Sequence, residues 1–152
     1  MINRRSFITG IKSISLSKKE ISFLKVYKPW GVILFSRNIK SLKQTKKLTD
    51  HIKLVFKDKQ YPILIDQEGG RVNRLKKIFG SDTFSAEFFG KLYLKDKKKF
   101  NNFYKRFINE TSHLLRSMGI NINTLPVLDL RAKGSSNIIG DRSFSNDAKI
   151  AS

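Results

Sequence analysis

The chain has 152 residues, enough for one domain with its own core, and 39% hydrophobic content with 12 Phe excludes a disordered polar chain. It contains no Cys, which excludes disulfides and thiolate metal sites and fits a reducing compartment. The net charge is +19, from 31 Lys and Arg against 12 Asp and Glu, so polyanion binding has to be weighed. The cations are mostly Lys, scattered through helix-like stretches and densest at Lys95-Asp96-Lys97-Lys98-Lys99, with no aromatic-basic signature or zinc spacing. That pattern reads as a lysine-biased surface rather than a nucleic-acid site. No apolar run approaches the roughly 20 residues of a membrane span. The first ten residues carry two arginines but no long apolar stretch, so they do not read as a signal peptide, and the cytoplasm is the expected compartment.

In chain order, Ser6–Ile11 is the first expected strand. Ser17-Lys18-Lys19-Glu20 is a capping box that opens a helix with Ile21, Leu24 and Tyr27 on one face, and Pro29 closes it. Gly31–Phe35 is a continuous apolar run, as in strands buried on both faces, and ends in the polar loop Ser36-Arg37-Asn38. Ser41-Leu42-Lys43-Gln44 reads as a second capping box, followed by Leu48, Ile52, Val55 and Phe56 at helical spacing. Pro62–Ile65 is the third strand. Ser85 is placed to cap a short helix through Phe88, Phe89 and Leu92. A longer helix is expected from Lys95 to Met118, with Phe100, Phe103, Tyr104, Phe107, Ile108, Leu115 and Met118 as its core stripe and Gly119 as its stop. Ile120–Asn123 begins the fourth strand, and Leu125–Leu130 extends or follows it. A polar loop from Arg131 to Asn137 follows, and Asn146–Ser152 begins another helix.

The order βαβαβαβ, with no hairpin signal between strands, calls for a parallel sheet with right-handed helical crossovers. Loops after the strands then open on the sheet's carboxyl end, where such folds keep ligand sites. The richest of these loops is Asp66-Gln67-Glu68-Gly69-Gly70-Arg71-Val72-Asn73-Arg74. Its glycines permit positive φ. Its carboxylates and guanidinium forks suit sugar hydroxyls, carboxylates or phosphates. Glu68 and Arg71 are expected to brace the loop by local pairing. His51 and His113 lie on helices rather than at strand ends, so they read as surface or packed residues, not catalysts.

Several blocks occur together in order: Trp30-Gly31-Val32-Ile33-Leu34-Phe35-Ser36-Arg37-Asn38-Ile39, Leu48-Thr49-Asp50, the Asp66–Arg74 loop, Gly119-Ile120-Asn121-Ile122-Asn123, Pro126-Val127-Leu128-Asp129 and Ile139-Gly140-Asp141-Arg142-Ser143-Phe144. Together they resemble the bacterial β-N-acetylhexosaminidases of glycoside hydrolase family 3. The resemblance covers nearly the whole chain, and the Asp-Gln-Glu-Gly-Gly-Arg-Val block is its most specific part. It implies an α/β fold, a parallel (β/α)8 TIM-type barrel of which residues 1–152 form the amino-terminal half, and no cofactor or metal. It implies removal of terminal β-linked N-acetylglucosamine from peptidoglycan fragments in cell-wall recycling, by an enzyme that is a monomer when full-length. By this resemblance Asp66 hydrogen-bonds sugar hydroxyls, and Arg74 and Arg142 contact the sugar. Asn73 departs from the family, where Gln is usual.

The resemblance also implies a nucleophilic Asp on a late barrel strand and a His acid/base in a Lys-His-Phe-Pro-Gly-His-Gly-type segment. Neither has a counterpart among these residues, although a retaining glycosidase needs such a pair about 5–5.5 Å apart. A closed barrel of this kind takes about 250 residues. The expectation is therefore a chain that carries substrate contacts, with the catalytic residues encoded beyond Ser152 and no turnover of its own. The alternatives are a non-catalytic sugar-binding or partner-binding remnant and, less favoured, a basic polyanion-binding domain.

Overall fold

A computed structural model describes residues 4–132, 134 and 136–152. Two compact units form: one from the residues up to Asp66 with His113–Asn123, the other from Gln67–Ser112 with Thr124–Ser152.

The first unit is built on a parallel sheet in the order β1-β2-β3-β4, with β1 Arg5–Gly10, β2 Pro29–Leu34, β3 Ile63–Ile65 and β4 Ile122–Asn123. The register pairs Ile8 with Gly31, Val32 with Ile63 and Leu64 with Ile122. The apolar run in β2 is explained by burial: Val32 and Leu34 are fully enclosed, as are Ile63 and Ile65 in β3. Each such side chain contributes about 1.5–3 kcal/mol relative to exposure. The side chain of Asn121 supplements the short β4. It accepts from Ile63 N–H at 2.8 Å and donates to the Tyr61 carbonyl at 3.1 Å, supplying bonds that a longer strand backbone would make. Tyr61 stacks on Phe56 with centroids 3.8 Å apart, and its hydroxyl donates to the Pro29 carbonyl at 2.8 Å. Burial pushes that hydroxyl's pKa well above the usual phenol range.

Two helices cross over within this unit. In α1 (Lys18–Tyr27) the expected capping box is complete, and Lys28 ends the helix in the left-handed conformation just before Pro29. Only Leu24 is buried on it; Tyr27, expected on the core face, is exposed and packs on Phe23. In α2 (Leu42–Phe56) Ser41 accepts from Gln44 N–H, but the reciprocal half of the expected box is absent. Gln44 instead accepts from Lys40 N–H and donates to the carbonyls of Ile14 and Asn38. Its amide is long enough to reach past the cap, and two further carbonyls reward the longer reach.

In the second unit, α3 (Ala86–Lys95) starts at the Ser85 cap. The long helix expected next is α4 (Lys97–Ser117), which belongs to this unit up to Ser112 and to the first from His113 on. It begins two residues late because Asp96 closes α3 with its N–H and caps α4 by accepting from Lys99 N–H. Phe89 is the hub of this unit's core, in contact with Phe84, Phe88, Phe100, Tyr104 and Phe107 at centroid distances of 4.9–6.5 Å. Phe103, assigned from its spacing to the core stripe, is 56% exposed instead. The stripe is narrower than the helical repeat suggested, and Phe103 falls outside it. Burial raises the Tyr104 hydroxyl's pKa.

The extension of the fourth strand through Leu125–Leu130 does not form; β4 stops at Asn123. Pro126 has no N–H to give a ladder, and Leu128 and Leu130 are exposed rather than enclosed as strand-core residues. The chain then reaches a 3-10 turn, Gly140–Arg142, and a short α5 (Ala148–Ala151) capped by Asp147. Lys133 and Ser135, in the polar loop expected from Arg131 to Asn137, lie outside the described residues.

Candidate functional site

The loop after β3 is shaped by its glycines. Gly69 and Gly70 take φ of +89° and +55°, and the turn closes with Val72 N–H on the Gly69 carbonyl and Glu68 N–H on the Val72 carbonyl. Gly70 N–H donates to the Ser81 carbonyl at 2.9 Å. Gln67 is fully buried and satisfied on both sides. Its amide donates to Ser81 Oγ at 3.1 Å and its oxygen accepts from Leu75 N–H at 3.0 Å. Asn73 donates to the Phe79 carbonyl and to Asp82, and its own oxygen also accepts from Leu75 N–H. These bonds leave little freedom in the backbone on either side of Arg74. Buried polar groups paired this completely rigidify a loop.

The charged side chains of the loop pair at long range. Glu68 takes a two-pronged contact from Arg142, with Nε and Nη2 each 2.8 Å from a carboxylate oxygen. Glu68 is only 9% exposed and Arg142 26%. Phe89, Phe107 and Val127 line the same small cleft, and apolar walls strengthen such a pair. Arg71 lies against the turn that carries Arg142. Its Nε is 2.8 Å from Asp141, and Nη2 donates to the carbonyls of Asn137, Ile138 and Ile139. The local pairing expected of Glu68 and Arg71 is therefore replaced by two contacts to consecutive residues about seventy positions on.

The three residues singled out in the sequence are placed as follows. Asp66, half-buried, directly follows β3 and ends the first unit's leading segment. Arg74, half-buried, lies in the second unit between the pinned Asn73 and the buried Leu75. Arg142, also in the second unit, closes the 3-10 turn and is brought together with Glu68. The partners of Glu68 and Arg71 were missed from sequence. A signal existed: each of two specific blocks carries charges of opposite sign within three positions, Glu68 with Arg71 and Asp141 with Arg142.

Other features are structural or solvated. Asn38, in the first strand-end loop, is fully buried. It accepts from Phe35 N–H and donates to the carbonyls of Ile11 and Ser13, so it fixes the chain rather than a ligand. His51 and His113 are exposed on α2 and α4. An open cleft of about 590 Å³ is lined by Glu87, Lys91, Arg131 and Phe144 and holds none of the three singled-out residues. Its charges are already matched, Glu87 to Arg131 at 3.1 Å and to Lys91 at 3.3 Å. Among the described residues no cluster of metal-ligating side chains occurs, and no helix is long and apolar enough to cross a membrane.

A parallel sheet with helical crossovers, and a glycine turn bearing charged side chains after its third strand, define an α/β protein of the kind that takes ligands at strand carboxyl ends. The chain belongs to glycosyl hydrolase family 3, whose N terminal domain it matches over residues 8–152. It is 40% identical over 119 residues to a beta-hexosaminidase of Methylobacillus flagellatus, covering 77% of this chain and 33% of that protein. It is 34% identical over 153 residues to a beta-hexosaminidase of Bordetella pertussis, covering 94% of this chain and 40% of that one. A crystal structure of NagZ from Neisseria gonorrhoeae in complex with N-trifluoroacetyl-D-glucosamine superposes with a TM-score of 0.86 at 28% identity, covering 99% of this chain and 44% of the other. The chain thus spans about two fifths of the length of these relatives.

Proposed function

We propose that this chain is the amino-terminal part of a (β/α)8 barrel hydrolase that removes terminal β-linked N-acetylglucosamine from peptidoglycan fragments in the cytoplasm, as a step in cell-wall recycling. The full-length enzyme is a monomer and needs no cofactor. The observation that carries the reading is the match to glycosyl hydrolase family 3 over residues 8–152, joined to relatives named beta-hexosaminidase. The NagZ structure with an N-acylated glucosamine supports the substrate class.

Within this reading Asp66 accepts hydrogen bonds from two sugar hydroxyls, and Arg74 and Arg142 fix the sugar's orientation with their guanidinium forks. Glu68 already holds one edge of Arg142, through Nε and Nη2. The nucleophile and the acid/base belong to the part of the relatives that this chain does not span. These residues bind and orient; they do not break the bond.

Calorimetry with N-acetylglucosamine tests the reading. Binding by the chain, abolished in Asp66→Ala, is the expected result. Release of 4-nitrophenol from the corresponding N-acetylglucosaminide at enzyme-like rates by the purified 152-residue chain would overturn the assignment of catalysis to other residues. Sugar binding without cleavage in the full-length protein would favour a binding module over a hydrolase.

A further inference from the structure

The segment from Asn137 to Asp141 has only short-range bonds of its own: Ile138 N–H donates to Ser136 Oγ, and the Ile139 and Gly140 carbonyls accept from Arg142 and Ser143 N–H. Of its two isoleucines Ile138 is 70% exposed and Ile139 half-buried, and the segment joins no sheet. What grips it is Arg71. One amino group, Nη2, donates to the carbonyls of Asn137 at 2.7 Å and Ile139 at 2.8 Å, with the Ile138 carbonyl between them. The same guanidinium places Nε 2.8 Å from Asp141. Gly140 leaves room for this: its φ is +47°, and a Cβ there would sit 3.1 Å from Arg71 Nη2. The next residue along the turn is Arg142.

We propose that Arg71 is a positioning residue: it holds the turn that carries Arg142, while Glu68 sets the rotation of the Arg142 guanidinium, so that Arg142 meets the sugar from one direction. The proposal rests on the reading that Arg142 contacts the sugar. Glu68 alone would fix the guanidinium but not the backbone behind it. The Arg71–Asp141 pair is half exposed, so its charge attraction is weak. The positional work falls to the fork, which reaches a carboxylate and a row of carbonyls at once. A lysine ammonium, a single point of charge, cannot span both.

The test is the Nε–H resonance of Arg142 in the nitrogen-15-labelled chain, assigned by its disappearance in Arg142→Lys. Arg71→Gln is expected to speed exchange of that proton with water roughly tenfold, because local opening of the turn becomes more frequent. The indole signal of Trp30 should stay in place. Arg71→Lys should resemble Arg71→Gln. If Arg71→Gln does not fold, Asp141→Asn is read in the same way and should shift exchange in the same direction by a smaller factor. Unchanged exchange in the folded variants, or full recovery by lysine, overturns the proposal. Adding N-acetylglucosamine to the unmodified chain separates the two readings. An Arg142 signal that stays slow to exchange but does not move with sugar defeats the sugar contact and leaves the clamp standing.

Discussion

At Gly69 the backbone takes φ of +89°, and a Cβ would lie 2.3 Å from the Phe84 carbonyl oxygen. Both facts oppose any side chain. Gly69→Ala is expected to cost about 3 kcal/mol, from left-handed strain and the forced movement of a backbone carbonyl. Chemical denaturation checks it, and a loss below 1 kcal/mol would mean that the turn relaxes easily. The need for glycine here was legible, because two adjacent glycines after an apolar run mark a tight turn. The partners of Glu68 and Arg71 were not. Pairing rules read from sequence reach three or four positions along a helix or across a hairpin, whereas these contacts skip 74 and 66 positions.

Among elements, α1 carries the plainest capping chemistry. Ser17 accepts from Glu20 N–H at 3.2 Å, and Glu20 accepts from Ser17 N–H at 2.9 Å and Lys12 N–H at 2.8 Å. Burial pushes the Glu20 carboxyl's pKa up, but these hydrogen bonds and the Ser17 hydroxyl more than reverse that and hold it below its ordinary value of 4.5. A depressed carboxyl stabilises the fold above the unfolded value and ceases to do so as pH falls through the folded one. Protection of the amides at the start of α1, taken relative to the intrinsic exchange rate at each pH, should therefore fall as pH drops below 4.5. Ser17→Ala should cost about 1 kcal/mol at neutral pH and leave α2 untouched; equal protection in the variant would contradict this. Capping and periodicity made the helices readable, because both are local. The end of β4 was not readable, because an apolar run such as Leu125–Leu130 looks the same whether or not a neighbouring strand exists to pair with it. Asn121's bonds across to Ile63 and Tyr61 were equally hidden, since they depend on which strands lie side by side.

For the whole molecule, a charge of +19 gives a strong field. Adsorption to heparin or duplex DNA should appear near about 50 mM salt and vanish by about 200 mM. Asp66→Ala should not alter it, and retention at higher salt would point to a specific polyanion site. The pairing of Glu68 with Arg142 also has a bearing on how the protein is made. The two residues are 74 positions apart. At about 5–20 residues per second, a ribosome would deliver the arginine roughly 4–15 seconds after the glutamate. For that interval the carboxylate stands among nascent aromatic side chains without its counter-ion. Glu68 and Arg142 thus meet only after the residues of all four strands have been synthesised.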